Sequence, residues 1–96
     1  MTLLEFKHSI AEAHPPAELS RPLQALWHDA KGNWDTAHRL AQEQEDEVGS
    51  WVHAYLHRVE GDSSNAAYWY RKAGRPVSTL TLEQEHEEIA ADLLGR

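Results

Sequence analysis

Apolar residues recur through most of the chain at spacings of three and four, the period of a helix with one buried face. Leu3, Phe6, Ile10 and Ala13 open the pattern. Thr2 and Glu5 stand just ahead of it at the spacing of a capping box, and His14-Pro15-Pro16 closes it by removing amide donors. Leu23, Leu26, Trp27 and Ala30 make a second stripe, with Ser20 as its cap, Pro22 in its first turn and Gly32 at its end. Trp34, Ala37, Leu40 and Ala41 make a third, which Asn33 is placed to cap. Residues 42–49, QEQEDEVG, read as an acidic connection.

A fourth helix is expected from Ser50 or a nearby acid, with Val52, Tyr55, Leu56 and Val59 on its inner face. Gly61 and Asp62 turn the chain into a fifth, whose inner face is Ala66, Trp69, Tyr70 and Ala73, with Gly74 and Pro76 as its stop. Thr81 and Gln84 form a second capping box ahead of Leu82, His86, Ile89, Ala90 and Leu93. No alternating strand pattern competes. The expected fold is all-α: a single domain over residues 1–96, a compact bundle of about six helices.

Two stretches repeat one another. KGNWDTAHRLA, from Lys31, and EGDSSNAAYWYRKA, from Glu60, each carry Gly then Asn or Asp, with Ala five residues after the Gly. Each closes a helix with a large apolar stripe, so the pair reads as two helix–turn–helix hairpins. Residues 50–74 resemble a tetratricopeptide or Sel1-like repeat, with Gly61, Ala66, Tyr70 and Ala73 at that family's turn glycine, small, aromatic and small positions. Through LWHDAKGNWDTAHRLAQ and WVHAYLHRVEGDSSNAAYWYRKAGR the whole chain is also similar to a group of small bacterial proteins of unassigned function. That likeness implies a helical, self-contained, cytoplasmic protein and brings no activity with it.

Composition narrows the partners. The net charge of −7 argues against duplex nucleic acid and anionic membrane. Residues 50–78 are the exception, carrying Arg58, Arg71, Lys72 and Arg75 against Glu60 and Asp62. With no cysteine, disulfides and thiolate chemistry are excluded. The first residues lack the basic start and apolar stretch of a secretory signal, so a cytoplasmic location is expected.

Chemistry-bearing residues fall into two sets. His53 and His57, four apart on one helix, point the same way and can share a metal ion; they lie beside the apolar stripe, so a groove edge or solvent is expected around them. His28, His38, Asp29, Glu60 and Asp62 are candidates for a further ligand. The second set is Tyr68 with Arg58, Arg71, Lys72 and Arg75, suited to holding a carboxylate or phosphate. Trp51 sits at a helix start and would be a binding anchor if exposed. Phosphate loops, nucleophile elbows and metalloprotease motifs are all missing.

The first expectation is therefore a protein- or peptide-interaction module. A polar edge of Asp29, Lys31, His38, His53, His57 and Arg58 would set register, with Trp51, Tyr68 and Arg71 supplying contact; homodimerisation is a variant, and no resident cofactor is required. The alternative is a metal or cofactor site at His53 and His57. A third reading is an enzyme acting on a small anion beside Arg71 and His57.

Overall fold

Capping chemistry sets most of the helix ends. A computed structural model describes all 96 residues and contains α1 (Leu3–Ser9), α2 (Arg21–Ala30), α3 (Trp34–Glu43), α4 (Glu47–Glu60), α5 (Ser63–Lys72) and α6 (Leu82–Leu94), with no strand. Both capping boxes form: Thr2 with Glu5 and Thr81 with Gln84. Ser20 and Asn33 stand at their N-caps without a side-chain hydrogen bond.

The turns after α2 and α4 are built alike. Gly32 and Gly61 adopt φ of +81° and +86°, a left-handed conformation that costs glycine little. The following amides reach back in matching six-to-one bonds, Asn33 N–H to His28 C=O and Asp62 N–H to His57 C=O, both 2.9 Å. These turns fold α2–α3 and α4–α5 into two helical hairpins.

α4 is the axis of the bundle. It packs against α2, α3, α5 and α6, while α1 lies on α6. Residues 51–57 are therefore all buried, His53 and His57 included. A helix enclosed on every side has no solvent face, which is why the one-sided stripe expected of it misplaced both histidines. The core runs through Phe6, Leu26, Trp27, Val52, Leu56, Tyr70 and Ile89.

Four local expectations are corrected. α1 ends at Ser9 and leaves Ala13 exposed, because the Ser9 hydroxyl donates to the Phe6 carbonyl (2.6 Å) and the Lys31 ammonium donates to the carbonyls of Ile10 (2.7 Å) and Glu12 (2.9 Å), closing the helix end from outside. α4 begins at Glu47 on an Asp46 cap that accepts from the Gly49 amide at 2.8 Å, so the acidic connection shrinks to residues 44–46. α6 buries Ile89 and Ala90 as expected, but Leu82 at its start is exposed and Glu85 is fully buried. Trp51, a candidate exposed anchor, is buried with the Arg75 guanidinium stacked 3.4 Å above its ring. No helix is long and apolar enough to cross a membrane.

Candidate functional site

α3 and α4 run antiparallel across the short connection, and this brings the histidines of both helices together. Trp34 and His38 are four apart on α3 and stack, with centroids 4.7 Å apart and planes 14° from parallel. His53 and His57 are four apart on α4 and stack at 4.8 Å and 25°. Across the helix interface His38 meets His53 nearly at right angles, their Nε2 atoms 2.8 Å apart. One ligating nitrogen from each of His38, His53 and His57 lies within 4.8 Å of the others.

Aromatic walls close the cluster. Trp69 of α5 lies flat on His53, centroids 3.8 Å apart. Trp34 covers His38 and turns its edge to His57, and its indole N–H donates to the Leu56 carbonyl at 2.8 Å, which locks the ring in place. His53 and His57 are left 3% and 7% exposed, while His38 is half-buried.

Burial sets the protonation state. It lowers the His53 imidazole to a pKa of about 3, helped by the neighbouring His38 and His57 rings. It lowers His38 too, with His57 adding to the shift and Glu60 and Asp35 opposing it. At neutral pH the facing Nε2 atoms of His38 and His53 therefore share one proton, as donor and acceptor. His57 is oriented differently: its Nδ1 lies 2.5 Å from the Glu60 carboxylate. An Nδ1–H bonded to a carboxylate leaves Nε2 with its lone pair, the arrangement that supports metal-ligating histidines.

This donor set fits a tetrahedral ion. At metal–nitrogen distances of ~2.0–2.1 Å, two ligands of one tetrahedral centre stand ~3.3 Å apart. His38 and His53 at 2.8 Å need to part by about half an ångström once the shared proton leaves, and the His57 nitrogen, within 4.8 Å of the others, needs to draw in by up to about 1.5 Å. A second group, His57 with Glu60 and Asp62, is nearby, but its carboxylates are used. Glu60 holds His57, and Asp62 caps α5 through the Asn65 amide at 3.1 Å.

A cleft of about 560 Å³ opens beside the cluster, with His53 and Trp69 at its inner end and Gln42, Gln44, Ser50 and Lys72 around its mouth. The other sequence candidates are distributed elsewhere. His28 stays on α2, edge-on to Trp27, and does not join the cluster. Asp29 accepts from the Tyr55 hydroxyl at 2.9 Å, and Lys31 is committed to the end of α1. Arg58 reaches Glu85 (2.6 Å) and the Leu80 carbonyl (2.7 Å). Tyr68 and Arg71 project from the outer side of α5. Neither Arg71 nor His57 lines this cleft or those beside Phe6, Val77 and Val48.

Two members of the site were hidden in the sequence reading, where Trp34 and Trp69 stood as packing residues. The Trp34–His38 spacing of four was the available signal for the first; Trp69 needed the α4–α5 packing to be known. Comparison of the chain with family descriptions, with curated proteins and with solved structures returns no match.

Proposed function

We propose that this chain is a metal-binding helical protein in which His38, His53 and His57 hold one divalent transition-metal ion, zinc being the simplest fit. The observation that carries this reading is the convergence of three ring nitrogens, two of them on buried rings, within 4.8 Å. An all-imidazole set suits zinc, copper or nickel and not the oxygen-seeking magnesium or calcium. Three protein ligands leave a fourth position, and the cleft past His53 gives it a route to solvent. Glu60 orients His57, and the two tryptophans exclude water from the ligand rings.

The test is metal titration of untagged, chelator-treated protein at about pH 7.5, where neutral imidazoles are available. Zinc is expected to bind at one equivalent and to raise the melting temperature, and cobalt to give the intense visible bands of a tetrahedral site. His38→Ala and His53→Ala should abolish both. Glu60→Gln should weaken binding by ~10–100-fold. Absence of stoichiometric binding, or binding unchanged by the histidine substitutions, overturns the proposal.

A second reading, the interaction module, is favoured by the outer face of α5. That helix packs mainly on α4 and reaches α6 through the Tyr70 hydroxyl, Tyr68 is 47% exposed, and the Lys72 ammonium lies 5.6 Å from the Tyr68 ring centre and 5.1 Å from that of Trp69. Arg71 is exposed and makes no ion pair. The repeat resemblance of residues 50–74 belongs with this reading. The fitting partner is an acidic peptide segment, held by the two cations with the tyrosine as contact surface. Salt-dependent binding of a poly-glutamate peptide, lost in Arg71→Ala with Lys72→Ala, would support it; no binding at low salt would remove it.

A further inference from the structure

On the far side of α4, a cleft of about 300 Å³ opens between α1 and α6. Its apolar lining is Leu3, Phe6, Ile10 and the Tyr55 ring, and at its inner end stand Asp29 and His86. The Asp29 side chain is only 9% exposed. Its Oδ2 accepts from the Tyr55 hydroxyl at 2.9 Å, while Oδ1 accepts nothing from the chain. Lys31, two residues away, does not neutralise it, because that ammonium is bound to the carbonyls of Ile10 and Glu12. His86 comes within 4.0 Å but spends its Nε2–H on the Leu26 carbonyl at 2.9 Å.

A carboxylate on an apolar cleft, with one oxygen free of chain donors and not closed off from solvent, offers an acceptor to a cationic group. Burial raises the Asp29 carboxyl above the ordinary aspartate range, with the Tyr55 bond and His86 opposing the shift. Charge at the mouth points the same way. Glu83 and Glu87 stand there with Lys7, which pairs with Glu87, so the cleft as a whole is negative. Tyr55, whose hydroxyl bonds the carboxylate, and His86, 4.0 Å from it, stand beside Asp29, and the His86 ring is centred 5.7 Å from Tyr55 and 6.4 Å from Phe6. Carboxylate, aromatic rings and an apolar floor are the combination that recognises an organic cation.

We infer that this cleft is a second binding site, independent of the histidine cluster, for a primary ammonium group carrying a small apolar body. The ammonium donates to Asp29 Oδ1, and the apolar body lies along Leu3 and Ile10. No bond is made or broken; the site is one of recognition.

The probe is benzylammonium, with benzyl alcohol as its uncharged counterpart, followed by NMR chemical shifts. Benzylammonium should give saturable shifts at Phe6, Ile10 and Tyr55, with a Kd of about 1 mM, ordinary for a fragment of that size. Benzyl alcohol should bind at least about tenfold more weakly, and Asp29→Asn, which still accepts from Tyr55, should weaken benzylammonium by about the same factor. Equal binding of amine and alcohol to the native chain overturns the inference whatever the variant does. So does an absence of saturable shifts at these residues, or undiminished binding by folded Asp29→Asn.

Discussion

His53 and Trp69 lie face to face, ring centroids 3.8 Å apart and planes 15° from parallel, so an indole from α5 is the lid over an imidazole of α4. Trp69 itself is only half-buried; its outer surface meets Tyr68 edge-on. Removing it therefore does two things at once. Trp69→Ala should lower stability by about 2–3 kcal/mol, below the cost for a fully buried tryptophan. It should also admit water to His53, so that the imidazole pKa moves up from about 3 towards its ordinary 6.5. Following the histidine ring protons by NMR through a pH titration checks the second effect, and an unmoved His53 resonance in a folded variant would show that the lid does not set its titration.

The same depressed pKa makes the fold sensitive to acid. In the unfolded chain His53 takes up a proton near pH 6.5, but in the folded protein only near 3. Between those values the unfolded state binds more protons, so stability is intact above about pH 6.5 and falls as the pH falls. By pH ~5 the loss from His53 alone is about 2 kcal/mol, a sizeable part of a small domain's stability. Burial lowers His28 and His38 as well, which adds to the slope. Asp29, whose carboxyl is raised, acts in the opposite sense, but only near the carboxylate range. Urea midpoints at pH 7 and pH 5 should thus differ clearly, and His53→Gln should flatten the difference. A native profile already flat from pH 7 to pH 5 would mean that the cluster accepts its proton without unfolding.

A stereochemical prediction concerns the connection that sets α3 against α4. A Cβ built on Gly49 would stand 1.8 Å from the Gln44 carbonyl oxygen, a backbone atom that cannot swing aside. Gly49→Ala should therefore cost roughly 3 kcal/mol or more and displace His38 relative to His53. Gly61 is the contrast. Its φ is +86° and nothing lies within 4 Å of the added atom, so Gly61→Ala should cost only the left-handed backbone penalty, about 1–2 kcal/mol. Thermal melts of the two variants side by side give the ranking, and a milder effect at Gly49 than at Gly61 would contradict it.

Much of this architecture could be read from the chain because it rests on local rules. Thr2, Thr81, Gly32 and Gly61 act through neighbours within a few residues, so their spacing was enough to place most helix ends. The His53–His57 spacing placed two imidazoles on one face for the same reason. Whether that face was wet or buried depended on how many helices surround α4, a long-range fact with no local signature. His38 joined the cluster, and His28 did not, because of the way α3 returns along α4 after residues 44–46. Residue types at those positions carry no trace of that register. Glu85 had no place on the expected inner face of α6 for a similar reason: a charged residue on a helix reads as solvent-facing until its partners from other elements are known.

Those partners give the last prediction. Glu85 is fully buried on α6; the Arg58 guanidinium donates to it at 2.6 Å, and the Tyr70 hydroxyl lies 2.7 and 2.6 Å from its two oxygens. Burial, with the Glu85 charge added, raises the Tyr70 phenol well above its ordinary range, so it stays a neutral donor. Arg58→Ala removes the countercharge and leaves the carboxylate inside the bundle, at an expected cost of about 3–5 kcal/mol. Arg58→Met combined with Glu85→Leu removes both charges and keeps the volume, so the double variant should be more stable than Arg58→Ala and fall short of the native chain by about 1–3 kcal/mol, the cost of leaving the buried Tyr70 hydroxyl without its acceptor. The pair has another duty, since Arg58 also donates to the Leu80 carbonyl and so holds residues 75–80 over the bundle. In the double variant that tether is gone while the core is intact. Amide hydrogen exchange should therefore speed up across residues 77–81 without global loss of protection. Unchanged exchange there would show that Arg75 on Trp51 anchors the segment alone. If instead the double variant is as unstable as Arg58→Ala, the ion pair is favourable in itself and not merely a charge that had to be matched.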